Sequence, residues 1–156
     1  LINDSNAFCV KQPNEKIAIM RQDPVLFNDT LRNNLTMYRD MCDDELIALL
    51  QKLNLHKFAT PEGLDSMIRE GGSNLSGGER KRIALARTLL RKAPITIVDE
   101  PLANVDSETA EKIEDILTEL SGGIVFVITH HFSDDKKKAF AKEFRFRHSH
   151  VEHGGI

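Results

Sequence analysis

Three short apolar runs, Ile17 to Met20, Ile95 to Val98 and Ile124 to Ile128, are rich in β-branched residues and predict strands. Between them the apolar residues recur at helical spacing. Leu46, Leu49, Leu50 and Leu53 stand at i, i+3, i+4 and i+7, behind the negative first turn supplied by Asp43, Asp44 and Glu45. Ile83, Ala86 and Leu90 line the face of a second helix, and Pro94 opens the strand that follows. A third helix starts at Ser107, carries Ile113, Ile116, Leu117 and Leu120 on one face, and stops at Gly122-Gly123. Thr60-Pro61-Glu62-Gly63 breaks the first two helical stretches apart. Strand, helix, strand in this order implies parallel pairing with right-handed crossovers, a buried strand at 95–98, and a third helix that buries its face against the sheet. There is no internal repeat and no low-complexity linker.

Composition narrows the class. A chain of 156 residues, 40% hydrophobic and 29% charged, suits one core, and a net charge of -3 provides no basic field for nucleic acid. The longest apolar runs are the strand cores, far short of the ~20 residues of a membrane span, so any membrane association comes from other segments or other chains. No secretory leader pattern is visible. Cys9 and Cys42 lack metal-site spacing and read as reduced thiols. Arg80-Lys81-Arg82 and Lys136-Lys137-Lys138 read as solvated faces, the former on a helix near a phosphate. Phe144 and Phe146 alternate with Arg145 and Arg147, the pattern of a half-buried strand.

The candidate chemistry lies at the ends of these elements. In Leu75-Ser76-Gly77-Gly78-Glu79 a glycine pair precedes a helix, so Ser76 can cap it while the free N–H groups of the first turn face an anion. Taken alone, the same residues are equally an ordinary N-cap with a flexible lead-in. Asp99 and Glu100 close a strand where ligands of open α/β sheets bind, and a Mg2+ nucleotide needs one carboxylate for the metal shell and another for the water. His130, after the next strand, suits either a terminal phosphate or a simple strand cap. Gln22, after the first strand, says little by itself.

In order, these residues resemble the nucleotide-binding domain of ABC transporters over nearly the whole chain. The resemblance makes Gln22 the Q-loop glutamine, Leu75 to Glu79 the signature, Asp99 the Walker B aspartate and Glu100 the catalytic glutamate. Leu102-Ala103-Asn104-Val105-Asp106 is similar to the D-loop, His130 to the switch histidine, and Val151-Glu152-His153-Gly154 to the strand that follows it. The segments 22–35 and 63–72 are similar to the exporter forms of the stretch after the Q-loop and of the loop that meets the membrane domain's coupling helices. Arg69 departs from the glycine usual in that loop, and Glu79 from the commoner glutamine. His148, His150 and His153 fall where the family has a strand pair without a metal, and are not read as ligands.

The implied fold is α/β: a partial P-loop NTPase core with a parallel sheet and an inserted α-helical subdomain at about 28–88, within a single partial domain over 1–156. No G-x-x-x-x-G-K-[ST] occurs, so the Walker A lysine and phosphate-cradling amides are missing. With Leu1 at the start, the chain is expected to be a truncated piece that is inactive alone. The implied cofactors are ATP and Mg2+. Ser76, Gly77, Gly78 and Glu79 would hold the γ-phosphate on a second nucleotide-binding domain, head to tail, with Asp106 connecting the two sites. Asp99 and Gln22 would meet Mg2+, and Glu100 and His130 the attacking water and the γ-phosphate. The remaining partner is a fused or associated transmembrane domain, which puts the chain on the cytoplasmic face of a plasma or inner membrane. Signature-bearing ATPases of DNA repair or chromosome maintenance, and non-hydrolysing regulatory subunits, are the alternatives. The exporter-like segment after Gln22 argues against the first, and Glu100 with His130 against the second.

Overall fold

The apolar runs form one parallel sheet. In the computed structural model, which describes residues 16–144, β1 (Ile17–Met20), β4 (Ile95–Asp99) and β5 (Ile124–Ile128) lie in the order β1-β4-β5. The register sets Met20 beside Val98 and Val98 beside Val127. Expectations for Cys9, for the alternation through Arg145 to Arg147, for His148, His150 and His153, and for Val151 to Gly154 lie outside the described residues.

Helices fill the sequence between β1 and β4. These are α1 (Leu31–Thr36), α2 (Asp43–Lys52), α3 (Pro61–Leu64) and the long α4 (Gly77–Leu90), with short 3-10 turns at His56–Phe58 and Glu70–Gly72. Within this part β2 (Asp29–Thr30) pairs antiparallel with β3 (Met67–Ile68). The two stretches with exporter character therefore meet in one ladder, extended by the Leu31 N–H to the Ser66 carbonyl at 2.9 Å. Buried leucines of the helices, among them Leu31, Leu50 and Leu85, join Met20 and Val98 of the sheet in a single core. Each such side chain contributes about 1.5–3 kcal/mol by leaving water. α5 (Ser107–Glu119) follows β4 and buries Ile113 and Leu117, and α6 (Asp134–Lys137) follows β5.

Two expectations change. The strand at 95–98 is not buried on both faces: Thr96 and Val98 are buried, whereas Ile95 and Ile97 are only half-buried. Their neighbours on that face, Ile17, Ile19, Ile124, Phe126 and Ile128, are exposed. A parallel sheet needs layers on both sides, and the described helices cover one.

The basic triplets also differ from solvated faces. Lys81 is only 8% exposed, Arg80 donates to the Gly71 carbonyl at 3.3 Å, and Arg82 to the Thr109 hydroxyl at 3.4 Å. The guanidinium groups of Arg80 and Arg82 thus reach polar partners within the chain, and Lys81 is buried by its surroundings. Lys136, likewise, is held by Asp115 at 2.7 Å and by the Glu111 carbonyl at 2.9 Å, while Lys138 stays exposed.

Candidate nucleotide site

Because β1, β4 and β5 are parallel, their carboxyl ends share one edge of the sheet, the edge at which ligands of open α/β sheets bind. Gln22 lies two residues past β1, exposed. Asp99 is the last residue of β4 and His130 stands two residues past β5. Glu100 prolongs the ladder by one bond, its N–H donating to the Ile128 carbonyl at 2.8 Å. Its φ of 49° is left-handed, a conformation that costs a non-glycine residue about 1–2 kcal/mol and turns the chain out of the strand. The Glu100 side chain is 14% exposed and the His130 ring 89%, and Nε2 of the ring lies 3.4 Å from Oε1 of the carboxylate.

The Asp99 side chain makes no hydrogen bond or ion pair among the described residues. That leaves its oxygens open to a hard cation. Mg2+ keeps several waters and takes one or two carboxylates plus phosphate oxygens, chemistry that the Asp99 carboxylate suits. Among the described residues no cluster of three or more His, Cys, Asp or Glu side chains forms a closed metal site. The donor set fits an ion that arrives with phosphates.

The start of α4 is a capping box. Ser76 Oγ accepts from the Glu79 N–H at 3.1 Å, and Glu79 Oε2 accepts from the Ser76 N–H at 2.9 Å. The N-cap reading of Ser76 is thus realised. The N–H groups of Gly77 and Gly78 stay without partners among the described residues, as the first turn of a helix requires unless something else fills it. Gly77 faces open space, while a Cβ on Gly78 would lie 3.1 Å from the Asn104 carbonyl oxygen. The second glycine therefore lets α4 start directly against the segment that leads from Glu100 to α5.

Charges tune this end. Glu79 also pairs with Lys57 at 2.5 Å. Partial burial works against its charge most strongly, yet the Lys57 ammonium and the Ser76 N–H together outweigh burial and hold the carboxyl below its ordinary range. Asp106 caps α5, Oδ1 accepting from the Thr109 N–H at 2.9 Å and Oδ2 from its hydroxyl at 2.8 Å, and those bonds hold the acid below its ordinary range. Both carboxylate oxygens of Asp106 are thereby engaged within the chain.

Three further residues support the site and escape a reading of motifs. Asn34, fully buried, accepts from the Phe27 N–H at 2.8 Å and donates to the Phe27 and Thr30 carbonyls at 3.0 and 3.1 Å, clamping the segment after Gln22. Arg87 of α4 donates to the Val25 carbonyl at 2.9 Å and lies over the Phe27 ring. Burial depresses its guanidinium pKa. Glu114 is buried in α5 and holds Ser133. Its signal was present in the sequence: an acid between Ile113 and Leu117, on the apolar face.

The ABC transporter family model matches residues 2–103, about two thirds of the chain. The chain belongs to the ABC transporter family. It is 42% identical over 122 residues to an ATP-dependent lipid A-core flippase of Syntrophus aciditrophicus (strain SB), covering 76% of this chain and 20% of the flippase. It is 40% identical over 129 residues to ABC transporter C family member 12 of Dictyostelium discoideum, covering 81% of this chain and 10% of that protein. Among solved structures, a bacterial Atm1-family ABC exporter with ATP bound aligns with a TM-score of 0.66 and 34% identity, over 75% of this chain and 21% of the exporter. The fold is accordingly part of the ABC ATPase α/β fold. The chain spans about a fifth or less of the length of these relatives, and no helix among the described residues is long and apolar enough to cross a membrane.

Proposed function

We propose that this chain is the signature-bearing part of an ATP-hydrolysing domain of an ABC exporter. The observation that carries the reading is the pairing of Glu100 with His130 at the carboxyl edge of a parallel sheet, beside an unpaired Asp99. A carboxylate and an imidazole so placed can polarise a water and hold the phosphoryl group it attacks. Similarity to a lipid A-core flippase and an Atm1-family exporter supports export as the coupled process, as does the β2–β3 ladder joining both exporter-like stretches.

In this reading two nucleotide-binding domains meet head to tail. The Ser76 hydroxyl and the free Gly77 and Gly78 amides approach the γ-phosphate held by the partner's Walker A, where the helix N-terminus favours negative charge. Asp99, with Gln22, would hold Mg2+, which would supply charge neutralisation at the phosphates. Glu100 orients the water, His130 contacts the γ-phosphate, and Asp106 sits at the interface between sites. Closure and reopening of the sandwich move a transmembrane domain, and the assembly stands on the cytoplasmic face of a plasma or inner membrane.

The test uses a complete transporter carrying this chain. Ser76→Arg puts bulk and a misplaced charge where the signature meets phosphate, so ATP binding in the open state persists while turnover collapses. Mixing that subunit with one lacking the Walker A lysine leaves one intact composite site per heterodimer, and ATPase activity returns. Normal hydrolysis by the Ser76→Arg dimer would reduce Ser76 to a helix cap and remove the shared site.

A further inference from the structure

We infer that Glu114 is a positioning residue for His130: it grips the chain just past the histidine and so aims the ring at Glu100. The inference rests on the ATPase reading above. His130 is almost wholly exposed, so its own side chain finds little packing to fix it. Its orientation comes from the backbone on either side.

That backbone is held at two points. Before it, the Thr129 hydroxyl donates to the His131 carbonyl at 2.7 Å and accepts from the His131 N–H at 3.2 Å, closing a tight turn around His130. After it, Glu114 Oε1 accepts from the Ser133 N–H at 2.8 Å and Oε2 accepts from the Ser133 hydroxyl at 2.6 Å. Glu114 is 4% exposed on the buried face of α5, so it is a rigid anchor. Between the two grips, Phe132 packs against the core and meets the Phe140 ring edge-on with centroids 5.5 Å apart.

A buried carboxylate persists only where hydrogen bonds and a nearby cation offset its desolvation. Ser133 supplies two bonds, and Lys136, 3.8 Å away and fixed by Asp115, supplies the charge. The contacts to Ser133 need an acceptor for the N–H and a polar atom for the hydroxyl, both of which glutamine also has. Glu114 is thus tied to His130 by geometry that a conservative variant preserves and an apolar one destroys.

In the complete transporter, Glu114→Ala lowers ATP turnover by about 10- to 100-fold with an unchanged KM for ATP, the effect expected of a misplaced reacting group. Glu114→Gln restores turnover. In a His130→Ala background Glu114→Ala has no further effect, because the group it aims is gone. Ser133→Ala, which keeps the Ser133 N–H bond to Glu114, gives a smaller loss with the same dependence on His130. Equal losses from Glu114→Ala or Ser133→Ala with and without His130, or full turnover in either variant, overturn the positioning role while leaving the ATPase reading intact. A parent transporter that does not hydrolyse Mg-ATP overturns both.

Discussion

Nε2 of His130 and Oε1 of Glu100 lie 3.4 Å apart, although thirty positions separate them in sequence. The contact exists because β4 and β5 are parallel neighbours whose register pairs Asp99 with Ile128, so the residues leaving both strands emerge on one edge. Helix α5 is the crossover that makes this possible.

Replacing Glu100 with glutamine keeps the shape of this contact and removes the basic oxygen. In a complete transporter the Glu100→Gln variant should bind ATP and turn over roughly 10^2- to 10^4-fold more slowly, the usual loss for a positioned general base. Closed, ATP-occupied dimers should accumulate, which size-exclusion chromatography with bound-nucleotide analysis would detect. Hydrolysis near the parent rate would take Glu100 out of the chemistry. Asp99→Asn should instead raise the Mg2+ concentration needed for half-maximal turnover.

The isolated 156-residue chain contains no Walker A sequence, and so lacks the lysine and the amide cradle that supply most phosphate contacts. Calorimetry with this chain alone should give no saturable heat at low millimolar Mg-ATP. Micromolar binding would show that phosphates are held by some other part of the chain.

Stability of the chain should fall on acidification. Glu79 and Asp106 have folded-state pKa values below their ordinary 4.5 and 3.8, so the folded protein binds these protons more weakly than the unfolded chain. Their stabilisation is complete above those ordinary values and is lost as pH drops through the lowered folded ones, that is, below about pH 5. Thermal unfolding across that range should show a shallower decline for Glu79→Gln, which also releases Lys57. An unchanged slope would mean that the Lys57 pair contributes nothing to folding.

Asn34 predicts a different kind of loss. Its buried amide meets the backbone of Phe27 and Thr30, and Asn34→Ala removes the acceptor of the Phe27 N–H and a donor to each of two carbonyls, of which the Phe27 carbonyl keeps the Asp29 N–H at 2.9 Å. A polar group left without its partner costs about 1–3 kcal/mol when buried, so urea unfolding should show a decrease of about 1 kcal/mol or more at unchanged m-value. A loss under half of the lower figure would mean that water replaces the amide.

How much of this was legible in the sequence differs from residue to residue. Ile17 to Met20, Ile95 to Val98 and Ile124 to Ile128 announced their strands, because a β-branched run between turn residues has few other stable conformations. The helices at 43–52, 77–90 and 107–119 followed from spacing and end signals, the third ending at Glu119, before Gly122-Gly123. Ser76 as a cap was likewise local; the reciprocal bond from Glu79, three positions on, is a finding of the structure. Lys81 was not, since a lysine in a basic triplet carries no mark of burial; its environment is set by what packs on α4.

The sequence by itself determined the three strands of the main sheet and the three long helices, their order, and through a series of ordered motifs the family, since strand and helix periodicity and capping act over a few residues. Only the tertiary structure decided which distant groups meet. The register of β4 against β5 brought His130 to Glu100, and the buried face of α5 turned Glu114 toward Ser133. Gly78 shows the same division. Its place at a helix start is written in the chain, but the close approach it permits, with the Asn104 carbonyl oxygen 3.1 Å from where a Cβ would stand, is set by the fold. Close approach between segments far apart in sequence depends on the packing of the whole core, and no local pattern encodes it.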